Sequence, residues 1–376
     1  MNGAFPRAQI LILSCQMAVC LGCSTAAQTD TKMNDDYSKV HAFYYPWYGN
    51  PKTDGAWAHW NHNVILHEGG GKAYNPPDDI GANFYPQIGC YSSMSRADLD
   101  VQMRQMRDAG IGVIALSWWG ADRQEDKTVP LTLDVADKYG LKVCFHIEPY
   151  GGRNAVSFKE TIKYLVDKYG CHNAFYRDKE RGNRPLFYLY DSYLVPAEEW
   201  ATVLSPDASN TIRGTQYDAV VIALWVKSGD GGFVLKGCFD GFYTYFATDG
   251  FTYGSTYANW QSMSRWAKEH GKIFIPSVGP GYDDTRIRPW NAVNRRDREG
   301  GAYYDRMFQA ALDAKPDFVS VTSFNEWHEG TQIEPAVPKT ITDYKYVDYS
   351  PREPDYYLKR TRHWADRFLD SQNAGR

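Results

Sequence analysis

Eight apolar runs of strand length punctuate this chain, with stretches of helical period between them, and no other feature narrows its fold so far. The runs are His41–Tyr45, Gly112–Trp119, Lys142–Glu148, Pro185–Tyr190, Ala219–Trp225, Gly241–Tyr245, Lys272–Val278 and Phe318–Asn325. They are too apolar to expose one face, which suits strands of a parallel sheet buried on both sides. Between them, Ser95-Arg96-Ala97-Asp98 has the pattern of a capping box, and Met103, Met106 and Ala109 continue an apolar stripe. Gly110, Gly140, Gly170 and Gly271 stand where helices would end in a left-handed residue, and a last helix is expected from Pro354 to Leu369.

Eight β-then-α units in order predict an α/β fold, a single (β/α)8 barrel with long βα loops around a cleft. The 376 residues are enough for it, since such barrels need about 250 plus insertions. A doubly wound open sheet is the alternative, but its first strand would lead into a glycine-rich phosphate loop. Here that position reads Pro46-Trp47-Tyr48-Gly49-Asn50.

The expected division is a leader over residues 1–33 and one catalytic domain over 34–376. Arg7 precedes an apolar stretch from Ile10 to Leu21, and Gly22-Cys23-Ser24 follows. That is the layout of a secretory signal, too short to span a membrane. Gly22-Cys23 also resembles a bacterial lipobox, so an exported periplasmic or cell-surface lipoprotein anchored at Cys23 is expected. Outside the leader, Cys90, Cys144, Cys171 and Cys238 show no metal-type pairing, and a disulfide among them stays open. The net charge of -4, with no basic run, argues against nucleic acid as a partner. A monomer is the expected state. Aromatic residues make up 15% of the chain, and flat rings with polar handles suit the faces of sugars.

In a barrel the active site lies at the carboxyl ends of the strands. Those ends carry Tyr45, Trp119, Glu148, Tyr190, Trp225, Tyr245 and the cluster Asn325-Glu326-Trp327-His328-Glu329-Gly330. Glycoside cleavage needs one carboxyl group as acid and a second as carboxylate, and neighbouring carboxylates push their pKa values apart. Glu326 and Glu329 are therefore the expected catalytic pair. Tyr45, His59, His62, Trp119, Glu148, Tyr190, Tyr245 and Trp327 are expected to bind substrate. One of Trp118 and Trp119 should pack under the helices while the other lines the cleft. Three histidines (His59, His62, His67) with Glu68 raise a metal site, but their spacing fits no zinc pattern, so neither metal nor cofactor is assigned. Glu148 can bind sugar hydroxyls, pair with Arg153, or act as the catalytic partner of Glu326. The loop Gly279–Arg286 reads as a lid, with a solvated Asp283-Asp284 pair.

These motifs resemble glycoside hydrolase family 99, the endo-α-1,2-mannosidases and endo-α-1,2-mannanases. The resemblance runs through Tyr44-Tyr45-Pro46-Trp47-Tyr48-Gly49, Ala82-Asn83-Phe84-Tyr85-Pro86, Ser117-Trp118-Trp119-Gly120 and Asn325-Glu326-Trp327-His328-Glu329-Gly330. It implies endo-cleavage of α-mannan or a mannose-rich oligosaccharide, with retention through a 1,2-anhydro sugar. Glu326 would draw the proton from the substrate's 2-hydroxyl, and Glu329 would protonate the leaving oxygen. Trp119 resembles the tryptophan of mannan-degrading members. Three other readings stay open: a barrel glycosidase using Glu148 with Glu326, a non-catalytic glycan-binding lipoprotein, and a metal-dependent hydrolase built on His59, His62 and His67.

Overall fold

Period-two alternation decides which side chains fill the interior. In β1 (Val40–Tyr44) all five residues are buried; His41 and Phe43 point one way, Ala42 and Tyr44 the other. The Phe43 ring lies 4.7 Å from His146, 5.3 Å from Tyr188 and 5.7 Å from Tyr243. Those rings belong to β3 (Lys142–Ile147), β4 (Arg184–Leu189) and β6 (Gly241–Tyr243), so side chains of four strands meet across one interior. Only a closed sheet allows that. The computed structural model describes residues 37–374, and the expected leader, Cys23 included, lies outside them. The described residues form one compact unit.

The remaining strands of the barrel are β2 (Val113–Trp118), β5 (Val220–Leu224), β7 (Ile273–Ile275), β8 (Ser277–Val278) and β9 (Val319–Val321). Consecutive strands from β1 to β7 pair in parallel, and β9 pairs with both β1 and β8. The seventh expected run is split at Pro276, which has no N–H for a ladder. Its lower half bonds β6 and its upper half bonds β9. Side chains bridge the gaps: the Ser277 amide donates to Thr244 Oγ1 (2.9 Å), Tyr245 N to Ser277 Oγ (2.8 Å), and Phe274 N to Asp317 Oδ2 (3.1 Å).

Among the described residues, eight helices of two turns or more cover the outside: α1 (Arg96–Asp108), α2 (Gln124–Lys138), α3 (Ala155–Tyr169), α4 (Ala197–Leu204), α5 (Asp230–Lys236), α6 (Trp260–Glu269), α7 (Ala302–Ala314) and α8 (Tyr356–Ala374). The architecture is the predicted (β/α)8 barrel. Local expectations need amending. Ser95 Oγ caps α1 by accepting from Asp98 N (3.4 Å), but the Asp98 carboxylate accepts from Ser92 N, so the box is half formed. Gly110, Gly140 and Gly271 have φ of +73°, +70° and +61°, whereas Gly170 ends α3 at φ −64°. The last run contributes only Val319–Val321 to the sheet; beyond it the chain leaves to build a loop. All four described cysteines are free thiols.

Candidate active site

One step up from each buried interior residue, the alternation sets a side chain at the barrel mouth. Tyr45 stands above Phe43, Glu148 above His146, Tyr190 above Tyr188 and Tyr245 above Tyr243. The sequence places these four at strand ends, and the structure gathers them into one upper layer. The hydroxyls of Tyr45 and Tyr245 bond each other, and the Tyr190 and Tyr245 rings lie 4.8 Å apart. Glu148 is buried; Ser117 Oγ donates to its Oε1 (2.9 Å), and His146 Nδ1 stands 3.1 Å from the same oxygen. Arg153 does not pair with it: its guanidinium donates to the carbonyls of Ile147 (3.2 Å) and Asp191 (2.8 Å). Trp118 packs under the helices, its indole donating to Asp126 Oδ1 (3.0 Å) on α2. Trp119 is half-buried, on the side of Ser117 by alternation. Trp225 faces the helix layer instead, 4.9 Å from Trp266.

Glu326 and Glu329 ride on the loop between β9 and the segment Ile333–Glu334. Its neck is tied by Ser323 N to Thr331 O (3.0 Å), Ile333 N to Ser323 O (2.9 Å) and Glu334 N to Phe324 O (2.9 Å). Ser323 Oγ accepts from Glu326 N (2.7 Å), and Glu326 Oε1 accepts from His328 N (3.1 Å). Glu326 is only 4% exposed. Burial lifts its carboxyl well above the ordinary range, and the charge of Glu329 adds to the rise. Burial raises Glu329 as well, opposed by the Arg288 guanidinium 3.3 Å from its Oε1. Arg288 also reaches Asp284 (3.1 Å), a buried carboxylate that accepts from Tyr282 OH (2.9 Å) and Asn291 Nδ2 (2.8 Å). The arrangement can therefore hold one proton and one negative charge on neighbouring carboxyls, as acid–base chemistry requires.

Trp327 departs from expectation. It is 0% exposed, and its indole donates to Glu334 Oε2 (2.9 Å) beneath the loop. A ring held there cannot stack on a sugar in the cleft.

The histidines regroup as well. His67 sits apart on the rim, 4.7 Å from Trp290. His59 and His62 instead meet His328, at ring separations of 5.8 and 4.8 Å. Trp47 stacks on His59 at 4.5 Å. Burial depresses all three histidines, His59 to about 4, so the cluster is neutral. His328 Nδ1 stands 2.8 Å from the Gly81 carbonyl and is assigned as its donor, which leaves Nε2 as an acceptor without a partner. Among the described residues no group of three or more such side chains is arranged to hold a metal ion.

The expected lid is pinned rather than free. Asp283 N donates to Glu329 O (2.8 Å), Asn83 Nδ2 donates to Asp283 Oδ1 (2.8 Å), and Arg295 pairs with Asp283 at 3.0 Å. The Asp283-Asp284 pair is thus part of the wall, not a solvated surface. Three residues at the mouth hold left-handed backbone: Tyr245 (φ +48°), His59 (φ +60°) and Asp191 (φ +47°). Such conformations cost about 1–3 kcal/mol each and cluster at functional sites. A cavity of about 90 Å³ opens between Tyr245, Phe246, Phe251, Tyr282 and Glu329. A larger groove, about 790 Å³, runs over α3 past Tyr150 and Tyr164, and neither glutamate lines it.

Sequence reading missed Arg288 and Glu334 and took Asp284 for a solvated residue. The i,i+4 spacing of Asp284 and Arg288 was the available signal for those two.

The sequence model of glycosyl hydrolase family 99 matches residues 34–370. The chain is 50% identical over 344 residues to the glycoprotein endo-α-1,2-mannosidase of Rattus norvegicus, spanning 88% of this chain and 74% of that one. It is 47% identical over 348 residues to the glycoprotein endo-α-1,2-mannosidase-like protein of Homo sapiens, spanning 89% and 76%. Among solved structures it is similar to the GH99 endo-α-mannosidase from Bacteroides thetaiotaomicron, with a TM-score of 0.85, 48% identity, and 89% and 98% of the two chains covered.

Proposed function

Since this chain belongs to glycosyl hydrolase family 99 and is an endo-acting glycoside hydrolase of α-mannosyl glycans, we propose that it cuts internal α-1,2-mannosidic bonds with Glu326 and Glu329. The observation that carries this reading is the pair of glutamates on one loop, Glu326 buried and Glu329 half-buried, with Arg288 against the second. Two carboxyls so placed need not both reach the anomeric carbon. In the proposed sequence Glu326 takes the proton of the substrate's 2-hydroxyl, and that oxygen attacks C1. Glu329 gives its proton to the departing glycosidic oxygen as the C1–O bond breaks. Water then opens the 1,2-anhydro sugar: Glu329 takes a proton from the water, Glu326 returns one to O2, and configuration is retained. Glu148, Tyr45, Tyr190, Tyr245 and the neutral His59 and His62 would hold the hydroxyls. Trp119 leans the natural substrate toward α-mannan, cut behind a 3-substituted mannose.

Arg288 favours a second reading. It contacts Glu329 and opposes the rise of that carboxyl, while burial lifts Glu326 well above the ordinary range; with the proton on Glu326 and the charge on Glu329, the two roles would be exchanged. Leaving-group dependence separates them. Glu326→Gln and Glu329→Gln should each lower kcat on α-mannan by roughly 10³-fold or more. The variant lacking the acid regains turnover on a substrate whose leaving group is fluoride, which needs no proton. Rescue of Glu329→Gln supports the first assignment, and rescue of Glu326→Gln the second. Release of no oligosaccharide from α-mannan by the wild type would overturn the substrate.

We further propose that residues 1–33 direct export of a monomeric catalytic domain, with a lipid on Cys23. A Cys23→Ala variant should then leave the membrane fraction.

A further inference from the structure

Beneath the catalytic loop lies a carboxylate the reaction does not consume. Glu334 is 1% exposed, and every partner donates to it. Gln102 Nε2 donates to Oε1 (2.8 Å); Tyr91 OH and Trp327 Nε1 both donate to Oε2, each at 2.9 Å. Tyr91 OH in turn accepts from Asn325 Nδ2 (3.1 Å). The Asn325 amide clamps Tyr45, accepting from its N–H (2.7 Å) and donating to its carbonyl (3.0 Å). One buried carboxylate thereby gathers α1, the end of β1 and both flanks of Glu326.

We infer that Glu334 is a positioning residue: as a carboxylate it anchors the underside of the loop carrying Glu326 and Glu329 and sets where those two reach. This rests on the proposed roles of that pair. Three neutral donors match an acceptor-only side chain and no other. A glutamine of the same shape would turn its NH₂ toward at least one donor. Stability alone does not explain a buried charge, because burying one without a cation costs energy. What the charge secures is geometry, and a displacement of about 1 Å can cost roughly 10²-fold in rate.

The cost of burial is visible in the acidity of Glu334, pushed up to about 7 by desolvation and opposed by its three donors. Facing it are Asp98 on α1, whose charge adds to the rise, and the hydroxyls of Tyr44, Tyr48, Tyr91 and Tyr349, all raised and so protonated. Below neutrality the anchor gains a proton where three partners now donate to it, and the loop loosens.

The test uses the whole protein and two variants. Glu334→Gln should lower kcat roughly 10–100-fold, with KM changed less than about two-fold and thermal stability preserved. In protein labelled with ¹⁵N-tryptophan, the Trp327 indole resonance, identified by its loss in Trp327→Phe, should titrate near pH 7 in wild type and stay still in Glu334→Gln. A Glu334→Gln enzyme that keeps wild-type kcat overturns the inference. So does a rate loss matched by loss of folded protein, or an indole resonance that ignores pH. If the α-mannan reading itself fails, wild type is inactive there whatever stands at 334, and the indole titration alone decides whether Glu334 is an ionised anchor.

Discussion

At the scale of single residues, the site is governed by how few charges offset its burial. Arg288 is the cation set against both glutamates; it lowers Glu326 and Glu329 alike. Arg288→Gln keeps a donor for Asp284 but removes the charge, so both carboxyls rise. The acid limb of the pH–rate profile, which reports the carboxylate that must be ionised, should then move to higher pH by about one unit or more. An unmoved limb would mean that Arg288 contributes little field at the reacting groups. The glutamates themselves were legible as a pair at the end of a strand, because acid–base chemistry demands two carboxyls close together. Trp327 was misread for a physical reason: a tryptophan between two proposed catalytic residues has the composition of a sugar platform, and only the fold reveals that the loop turns it inward onto Glu334.

At the scale of elements, strands were easier to read than loops. Apolar runs mark them because both faces of this sheet are covered. Alternation within them even names the top rung of each interior column. Loops carry no such period. The segment from Gly279 to Arg286 looked solvated since two adjacent aspartates ordinarily are, yet it packs on the turn at Gly330. There φ is +62°, and an added Cβ would stand 2.8 Å from the Asp283 carbonyl oxygen. Gly330→Ala combines left-handed strain with that collision, and neither neighbour is a flexible side-chain tip. It should lower stability by about 1–3 kcal/mol and displace Glu329, reducing kcat more than binding. Chemical denaturation and steady-state kinetics on one preparation would check both.

At the scale of the whole molecule, buried titratable groups set an unusual acid response. His41, His59 and His328 are depressed, the first to about 3 and the second to about 4. The unfolded chain therefore takes up protons below about 6.5 that the fold refuses, and stability is lost as pH falls. Glu326, Glu329 and Glu334 are raised. The fold holds their protons above 4.5 when the unfolded chain does not, so they return stability as pH falls to 4.5 and nothing below it. The two sets oppose each other between 6.5 and 4.5; below 4.5 each histidine still costs about 1.4 kcal/mol per pH unit until its folded value is reached, and Asp126 and Asp218, lowered in the fold, lose stability as well. Urea midpoints should be nearly level across the first interval and drop steeply under it. A steady decline from neutrality would count against these burial effects.

The division of the seventh strand at Pro276 reaches further than topology. Along that line the barrel is laced by hydroxyls and a carboxylate instead of a continuous ladder, and one lace, Ser277 Oγ, holds the amide of Tyr245 in its left-handed turn. A zipper interrupted at one tooth parts there first. Amide hydrogens of Ser277 and Tyr245 should exchange with solvent ahead of those of Ala42 or Ile114. The mouth can then breathe beside Tyr245 while the opposite wall, with Glu148, stays shut.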